Sequence, residues 1–301
     1  MTVPFIDADK LAEILPMAAA IDALERTFAA PDLPATPARQ HLQTAGGELL
    51  IMPSWGDAGV GVKLITIDAR NPERDLPLIH GVYVLFSPTT HQPLAIVEGG
   101  ALTKIRTGAV SGLATRHLAR VDAAHLVVFG AGVQATGHIE AMRAVRPIEQ
   151  VTVVAPDPDR AAALVKATGG IPGGPEAVAE ADIICTCTTS PAPVFDGRSI
   201  RPGTHINAIG AYKPTDRELD DATMGAGRVV VETSKVALTE AGDVVLALKS
   251  GALDEARMEE LASVVRSHPR ASDDEITVFK SVGIAFEDLA VAAAAYENLV
   301  T

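Results

Sequence analysis

The stretch Val127-Val-Phe-Gly130-Ala-Gly132-Val-Gln-Ala135 decides the fold. A Gly-x-Gly-x-x-Ala pattern stands there between a β-branched apolar run, His125-Leu-Val-Val-Phe129, and a segment of helical composition over residues 136–147. In that context each small residue has a physical reason. Gly130 permits a tight turn out of the strand, Gly132 lets the backbone approach a pyrophosphate, and Ala135 lets the helix pack closely on the sheet. The start of the helix adds unpaired N–H groups and the positive end of its dipole. The reading assigns NAD(P)H to Gly130, Ala131, Gly132, Val133, Gln134 and Ala135. The alternative is a glycine turn of a doubly wound fold that holds no nucleotide.

Downstream the alternation continues. The run Val151-Thr-Val-Val is a second strand, residues 159–167 a helix, residues 175–180 a short one, and Ile183-Ile-Cys-Thr, His205-Ile-Asn-Ala-Ile and Arg228-Val-Val-Val are further strands. Strands separated by helices imply a parallel sheet covered on both faces. The second strand of such a unit usually ends in an acid that binds the ribose 2′-OH. Here Ala155 holds that place, Asp157 follows two residues late, and Arg160 is within reach of a 2′-phosphate. Asp157 is assigned to the cofactor, with helix capping as its alternative, and the choice between NAD and NADP stays open. Thr188-Thr-Ser190 reads as a loop over the cofactor.

Upstream the grammar differs. Residues 7–30 read as helices, and Glu48-Leu-Leu-Ile-Met-Pro, Val60-Gly-Val-Lys-Leu-Ile-Thr-Ile, Gly81-Val-Tyr-Val-Leu-Phe and Leu94-Ala-Ile-Val as successive strands with their own sheet. Residues 103–118 form a helix. Residues 276–300 read as one apolar helical segment entered through the turn Lys280-Ser-Val-Gly. Three cations stand in mostly apolar settings: Arg39, Lys63 within a strand, and Arg106. A buried cation needs an anion, and a small carboxylate substrate would serve, as would a protein acid.

Composition narrows the function. The 301 residues carry 25 Lys+Arg against 38 Asp+Glu, a net charge of −13, which repels a phosphate backbone and argues against nucleic acid and anionic membrane. A hydrophobic share of 48% excludes a disordered chain. Two cysteines, Cys185 and Cys187, make no disulfide framework, so a reducing, cytoplasmic setting is expected. Neither a signal peptide nor ~18 consecutive uncharged apolar residues are present, and no residue set has metal-ligand spacing.

The motifs taken together resemble the ornithine cyclodeaminase and mu-crystallin family. They are Met52-Pro53, Gly61-Val-Lys63, Leu76-Pro-Leu-Ile-His-Gly81, Leu102-Thr-Lys-Ile-Arg106-Thr107, the glycine loop, Ile206-Asn-Ala-Ile-Gly210-Ala-Tyr-Lys-Pro214 with Glu218-Leu219, and Thr277-Val-Phe-Lys-Ser281-Val-Gly283. The resemblance implies an α/β fold with a Rossmann-type dinucleotide-binding domain over residues 118–285. It also implies an α+β substrate-binding and dimerisation domain formed by residues 1–117 and the C-terminal helix, 286–301, in a homodimer. Arg39, Lys63 and Arg106 would hold the substrate carboxylate, with Met52 and Tyr212 beside it, and Lys63 would move a proton. Thr107, the glycine loop and later turns, including Thr188 and Ser281, would hold the dinucleotide.

Two departures from the family pattern bear on the reaction. Cyclodeaminases carry an Asp where this chain has Tyr212 and a Glu where it has Leu50, and neither replacement can act as a carboxylate. The expected activity is therefore NAD(P)H-dependent reduction of a cyclic ketimine acid, 1-pyrroline-2-carboxylate or 1-piperideine-2-carboxylate, with hydride passing to the imine carbon. Lys63 is favoured to protonate the nitrogen; Tyr212, His80 and water are the alternatives. Other expectations to set against it are an amino-acid dehydrogenase or cyclodeaminase, and a non-catalytic NADPH-dependent binding protein.

Overall fold

The computed structural model describes residues 2–267 and 269–301. Its contacts divide the chain into two compact units, Met1–Arg106 with Ile284–Thr301, and Thr107–Gly283.

In the first unit a period-two pattern builds a sheet with one covered face. Along Gly59–Ile67 the buried positions are Gly59, Gly61, Lys63 and Ile65, and along Glu48–Gly56 they are Leu50, Met52 and Ser54. Six strands lie in the order Phe5–Ile6, Pro93–Glu98, Ile79–Phe86, Gly59–Ile67, Glu48–Gly56, Gln40–Gln43. The first pair is parallel and the others antiparallel. Pairing sets Met52, Lys63, Tyr83 and Val97 in one row across four strands. The helix Ala285–Val300 covers that face, and Met17–Ala29 packs against that helix. Its alanines allow close approach, and Phe28 meets Phe286 edge to face with ring centroids 5.0 Å apart.

The second unit is an all-parallel, eight-stranded sheet. The order is Met258–Glu260, Arg228–Val231, Thr277–Lys280, His205–Ala208, Ile183–Thr186, His125–Phe129, Gln150–Val154, Ile171–Pro172. Ile183–Thr186, His205–Ala208 and Thr277–Lys280 are buried at every position, as strands covered on both faces must be.

One expectation needs revision. Residues 276–300 are not one helical segment: Thr277–Lys280 is a central strand, and the helix begins at Ala285. Four residues, Thr-Val-Phe-Lys, reveal no period, and the partners that make Thr277–Lys280 a strand are distant in sequence. The two compact units meet in sequence between Arg106 and Thr107, within the helix Gly99–Leu118. The last turns of that helix are bonded into the second unit. Ser111 Oγ is 2.9 Å from His138 Nε2, and Arg146 Nη2 donates to the carbonyls of Thr115, Arg116 and Ala119 at 2.8, 2.9 and 2.9 Å.

Candidate active site

In the first unit the sheet and the C-terminal helix enclose a set of charges. Lys63 is fully buried, and its Nζ donates to Asp288 Oδ1 at 2.8 Å. Arg106 Nε lies 3.2 Å from the same oxygen, and Arg106 Nη1 donates to Glu287 Oε2 at 3.1 Å. Glu287 also reaches back to the Ile284 N–H, at 3.4 Å, steadying the start of its helix. Burial above all, then the Arg106 guanidinium and more weakly Arg39, bring the Lys63 ammonium down to about 8 against the pull of Asp288. Arg106 and Arg39, the other two cations singled out in the sequence, thus both act on the Lys63 ammonium.

Glu287 and Asp288 were not found from the sequence. Their signal is an adjacent pair of acids opening an otherwise apolar helix, where a charge requires a partner. Met52 pairs with Lys63 across the strands and is buried, forming part of the wall, and Leu50 stands one pair along on the same face. Tyr83 flanks Lys63 on its other side. It is fully buried, and its hydroxyl has no partner among the described residues. Burial, reinforced by Asp288, pushes its phenol well above the ordinary value, so it remains a donor. His80 is exposed and points to the opposite face of the sheet from Lys63, so it is no proton source for the Lys63 cluster.

The second unit presents the nucleotide features. Gly130 has φ of 101°, and a Cβ there would stand 2.5 Å from the Cys187 carbonyl oxygen, so only glycine fits. Gly132 is different: its backbone is extended, and a Cβ would meet nothing within 4 Å. It opens the helix Val133–Val145, whose N-terminus no side chain caps, and Ala135 is buried against the sheet. Ala131 is half-buried beside it, while Val133 and Gln134 occupy the first turn. Thr107 Oγ1 and Gln134 Oε1 are buried without a partner among the described residues. An open glycine, an uncapped helix start and orphaned polar atoms fit a dinucleotide.

Other expected residues are engaged by the protein itself. Asp157 caps the helix Pro158–Thr168, accepting from the Asp159 and Arg160 N–H groups at 3.1 Å each, and its Oδ2 lies 3.4 Å from Arg160 Nε. The Thr188 hydroxyl donates to Glu218 Oε1 at 2.7 Å, and that of Ser281 to Glu232 Oε1 at 2.6 Å. Tyr212 is exposed beyond the strand His205–Ala208, with Lys213 Nζ 5.8 Å from its ring centroid. Cys185 and Cys187 are unpaired thiols that burial pushes up, Cys185 to about 12, which leaves them unreactive. No group of three potential metal ligands occurs among the described residues.

A doubly wound nucleotide fold in one unit and a buried lysine–arginine–carboxylate cluster in the other are the marks of a two-unit α/β oxidoreductase scaffold. The chain belongs to the ornithine cyclodeaminase/mu-crystallin family, whose model matches residues 5–301. It is 40% identical over 281 residues to a Delta(1)-pyrroline-2-carboxylate reductase of Bacillus thuringiensis subsp. konkukian, covering 88% of this chain and 86% of the relative. Among solved structures it is similar to the Thermococcus litoralis Delta(1)-pyrroline-2-carboxylate reductase in complex with NADH and L-proline. That match has a TM-score of 0.91 and 34% identity, over 99% of this chain and 98% of the other. An archaeal alanine dehydrogenase dimer with bound NAD matches with a TM-score of 0.92 and 30% identity, over 100% and 97%.

Proposed function

We propose that this chain is an NAD(P)H-dependent reductase of cyclic imino acids such as 1-pyrroline-2-carboxylate. The observation that carries the reading is the buried Lys63, held by Asp288 and lowered to about 8 among cations. Arg39 and Arg106 take the substrate carboxylate, Arg106 with its guanidinium fixed by Glu287. The reduced nicotinamide, when bound, supplies hydride to the imine carbon. Lys63 protonates the ring nitrogen. Near neutral pH it is charged, yet it gives up its proton more readily than an ordinary lysine. Asp288 aims the ammonium, and Met52 and Leu50 wall the ring with apolar surface in place of a carboxylate that would select a second amino group. Gly130, Ala131, Gly132, Val133, Gln134, Ala135 and Thr107 hold the dinucleotide.

The test is oxidation of NADH and of NADPH with 1-pyrroline-2-carboxylate and 1-piperideine-2-carboxylate, beside ornithine, proline and alanine with NAD. Turnover of an imine is expected. Ammonia release from an amino acid with no imine turnover would overturn the reading in favour of a dehydrogenase or cyclodeaminase, and tight nucleotide binding without any turnover would favour a binding protein.

Tyr83→Phe gives a sharper check on the cluster. A buried hydroxyl without a partner costs about 1–3 kcal/mol, so removing it leaves the melting temperature unchanged or raised if the group serves only the fold. We expect that stability together with a fall in kcat/KM of about tenfold, because the hydroxyl donates to bound substrate. Unchanged kinetics would remove Tyr83 from the site.

The functional unit is a homodimer in the cytoplasm; among the described residues no helix is long and apolar enough to cross a membrane. The sheet face opposite Lys63 supplies the dimer surface: Val62, Val84 and Ile96 form one cross-strand row, with Leu49, Ile51, Leu64, Val82 and Leu94 around it, all half-buried. An apolar expanse of this kind asks for a partner. Val84→Asp is expected to convert a dimer to a monomer in light scattering, and a monomeric parent protein would refute the dimer.

A further inference from the structure

At the C-terminal ends of the central parallel strands lies a carboxylate to which the sequence reading gave no role. Glu218 is fully buried and accepts five hydrogen bonds: from Thr186 Oγ1 (2.8 Å), Thr188 N (2.8 Å), Thr188 Oγ1 (2.7 Å), Gly210 N (2.7 Å) and Ala211 N (3.3 Å). One side chain thereby ties together the segments that leave two adjacent strands, Ile183–Thr186 and His205–Ala208. The approach is so close that a Cβ on Gly210 would stand 2.5 Å from Glu218 Oε1.

Glu218 is itself held by a closed circuit. Its own N–H and that of Leu219 donate to Asp243 Oδ1, both at 2.8 Å; Asp243 Oδ2 is 2.9 Å from Lys280 Nζ; and Lys280 Nζ donates to the Ala211 carbonyl at 2.6 Å. Ala211 N returns to Glu218. All four members are buried. The Lys280–Asp243 pair neutralises itself, whereas among the described residues Glu218 is met by N–H groups and hydroxyls and by no cation. Burying an unpaired carboxylate is costly, and a fold that needed only to join two loops could do so with neutral groups. Ligands of open α/β sheets gather outside the carboxyl ends of the strands at these loops.

We propose that Glu218 is a positioning residue for the dinucleotide: its carboxylate, braced by Asp243 and Lys280, sets the 186–188 and 210–211 segments in the one arrangement that accepts the cofactor. This rests on the reading of the chain as a dinucleotide-dependent reductase. Glu218→Gln keeps the shape but replaces one acceptor oxygen by a donor that faces N–H groups, so one segment must shift. Thr186→Val removes a single donor to Glu218 and leaves both loops covalently intact.

The measurement is the Kd of NADH and NADPH by nicotinamide fluorescence, with melting temperature and the KM of imine at saturating nucleotide. Glu218→Gln is expected to weaken the preferred nucleotide at least tenfold and Thr186→Val two- to fivefold, with the imine KM within twofold of the parent. Glu218→Asp, which restores the charge, is expected to recover part of the loss. A folded Glu218→Gln that binds nucleotide within twofold of the parent overturns the proposal. If that variant does not fold, an unchanged Kd in Thr186→Val does the same. A parent protein that binds no nucleotide would instead refute the reductase reading.

Discussion

Lys63→Met is expected to lower imine-dependent NAD(P)H oxidation by about 10²–10⁴ in kcat, the range that a positioned general acid supplies. The change removes the proposed proton donor without removing the arginines, so carboxylate binding is expected to fall far less than turnover. The pH profile separates this role from a merely electrostatic one. The acid form must be present, so kcat/KM of the parent is level below about 8 and declines as pH rises through the free-enzyme value of Lys63. In the substrate complex the carboxylate of the ligand supports the ammonium, and the decline in kcat moves to higher pH. Lys63→Met loses this limb altogether. Thermal melting is an essential control, because among the described residues Asp288 keeps the Arg106 ion pair at 3.2 Å and loses that of Lys63, and breaking a buried ion pair destabilises by about 3–5 kcal/mol at the upper end. Parent-like kcat in a folded Lys63→Met, or a parent profile level through pH 9, would remove Lys63 from proton transfer.

What the sequence revealed, and what it hid, follows from the range of the interactions. The Rossmann unit was legible because its signal is local: a strand, two glycines, an alanine and a helix within a few residues. Lys63 was legible for a similar reason, since a cation in the strand Val60-Gly-Val-Lys-Leu-Ile is anomalous on its face. Its counter-ion was not, because Asp288 stands 225 residues away and belongs to a helix whose alanine-rich composition draws attention to packing. The strand Thr277–Lys280 was hidden by its shortness. It is a strand because two neighbours complete its ladder, and both are remote in sequence. Thr188 and Ser281 illustrate a third limit. Their hydroxyls donate to Glu218 and Glu232, and nothing near Thr188 or Ser281 in sequence announces a buried acid.

The two glycines of the nucleotide loop are expected to respond oppositely to the same substitution. Gly132→Ala introduces a methyl group that meets no protein atom within 4 Å and sits on an extended backbone that any residue adopts. A slightly poorer helix cap is offset by a less flexible unfolded chain, so stability changes by less than about 1 kcal/mol. The methyl nonetheless stands where the pyrophosphate is proposed to approach the helix start, and nucleotide affinity is expected to fall by about 10²-fold, comparable to losing two charge-assisted hydrogen bonds. Gly130→Ala has the reverse signature. At φ of 101° and 2.5 Å from the Cys187 carbonyl, the methyl forces the backbone apart. It costs about 1–3 kcal/mol in strain before any ligand is added. Differential scanning fluorimetry with and without NADPH separates the cases: Gly132→Ala melts like the parent and loses the nucleotide-induced rise, while Gly130→Ala melts early in both conditions. If Gly132→Ala kept the full nucleotide-induced rise, the pyrophosphate would have to lie elsewhere, and the loop would be a turn of the fold alone.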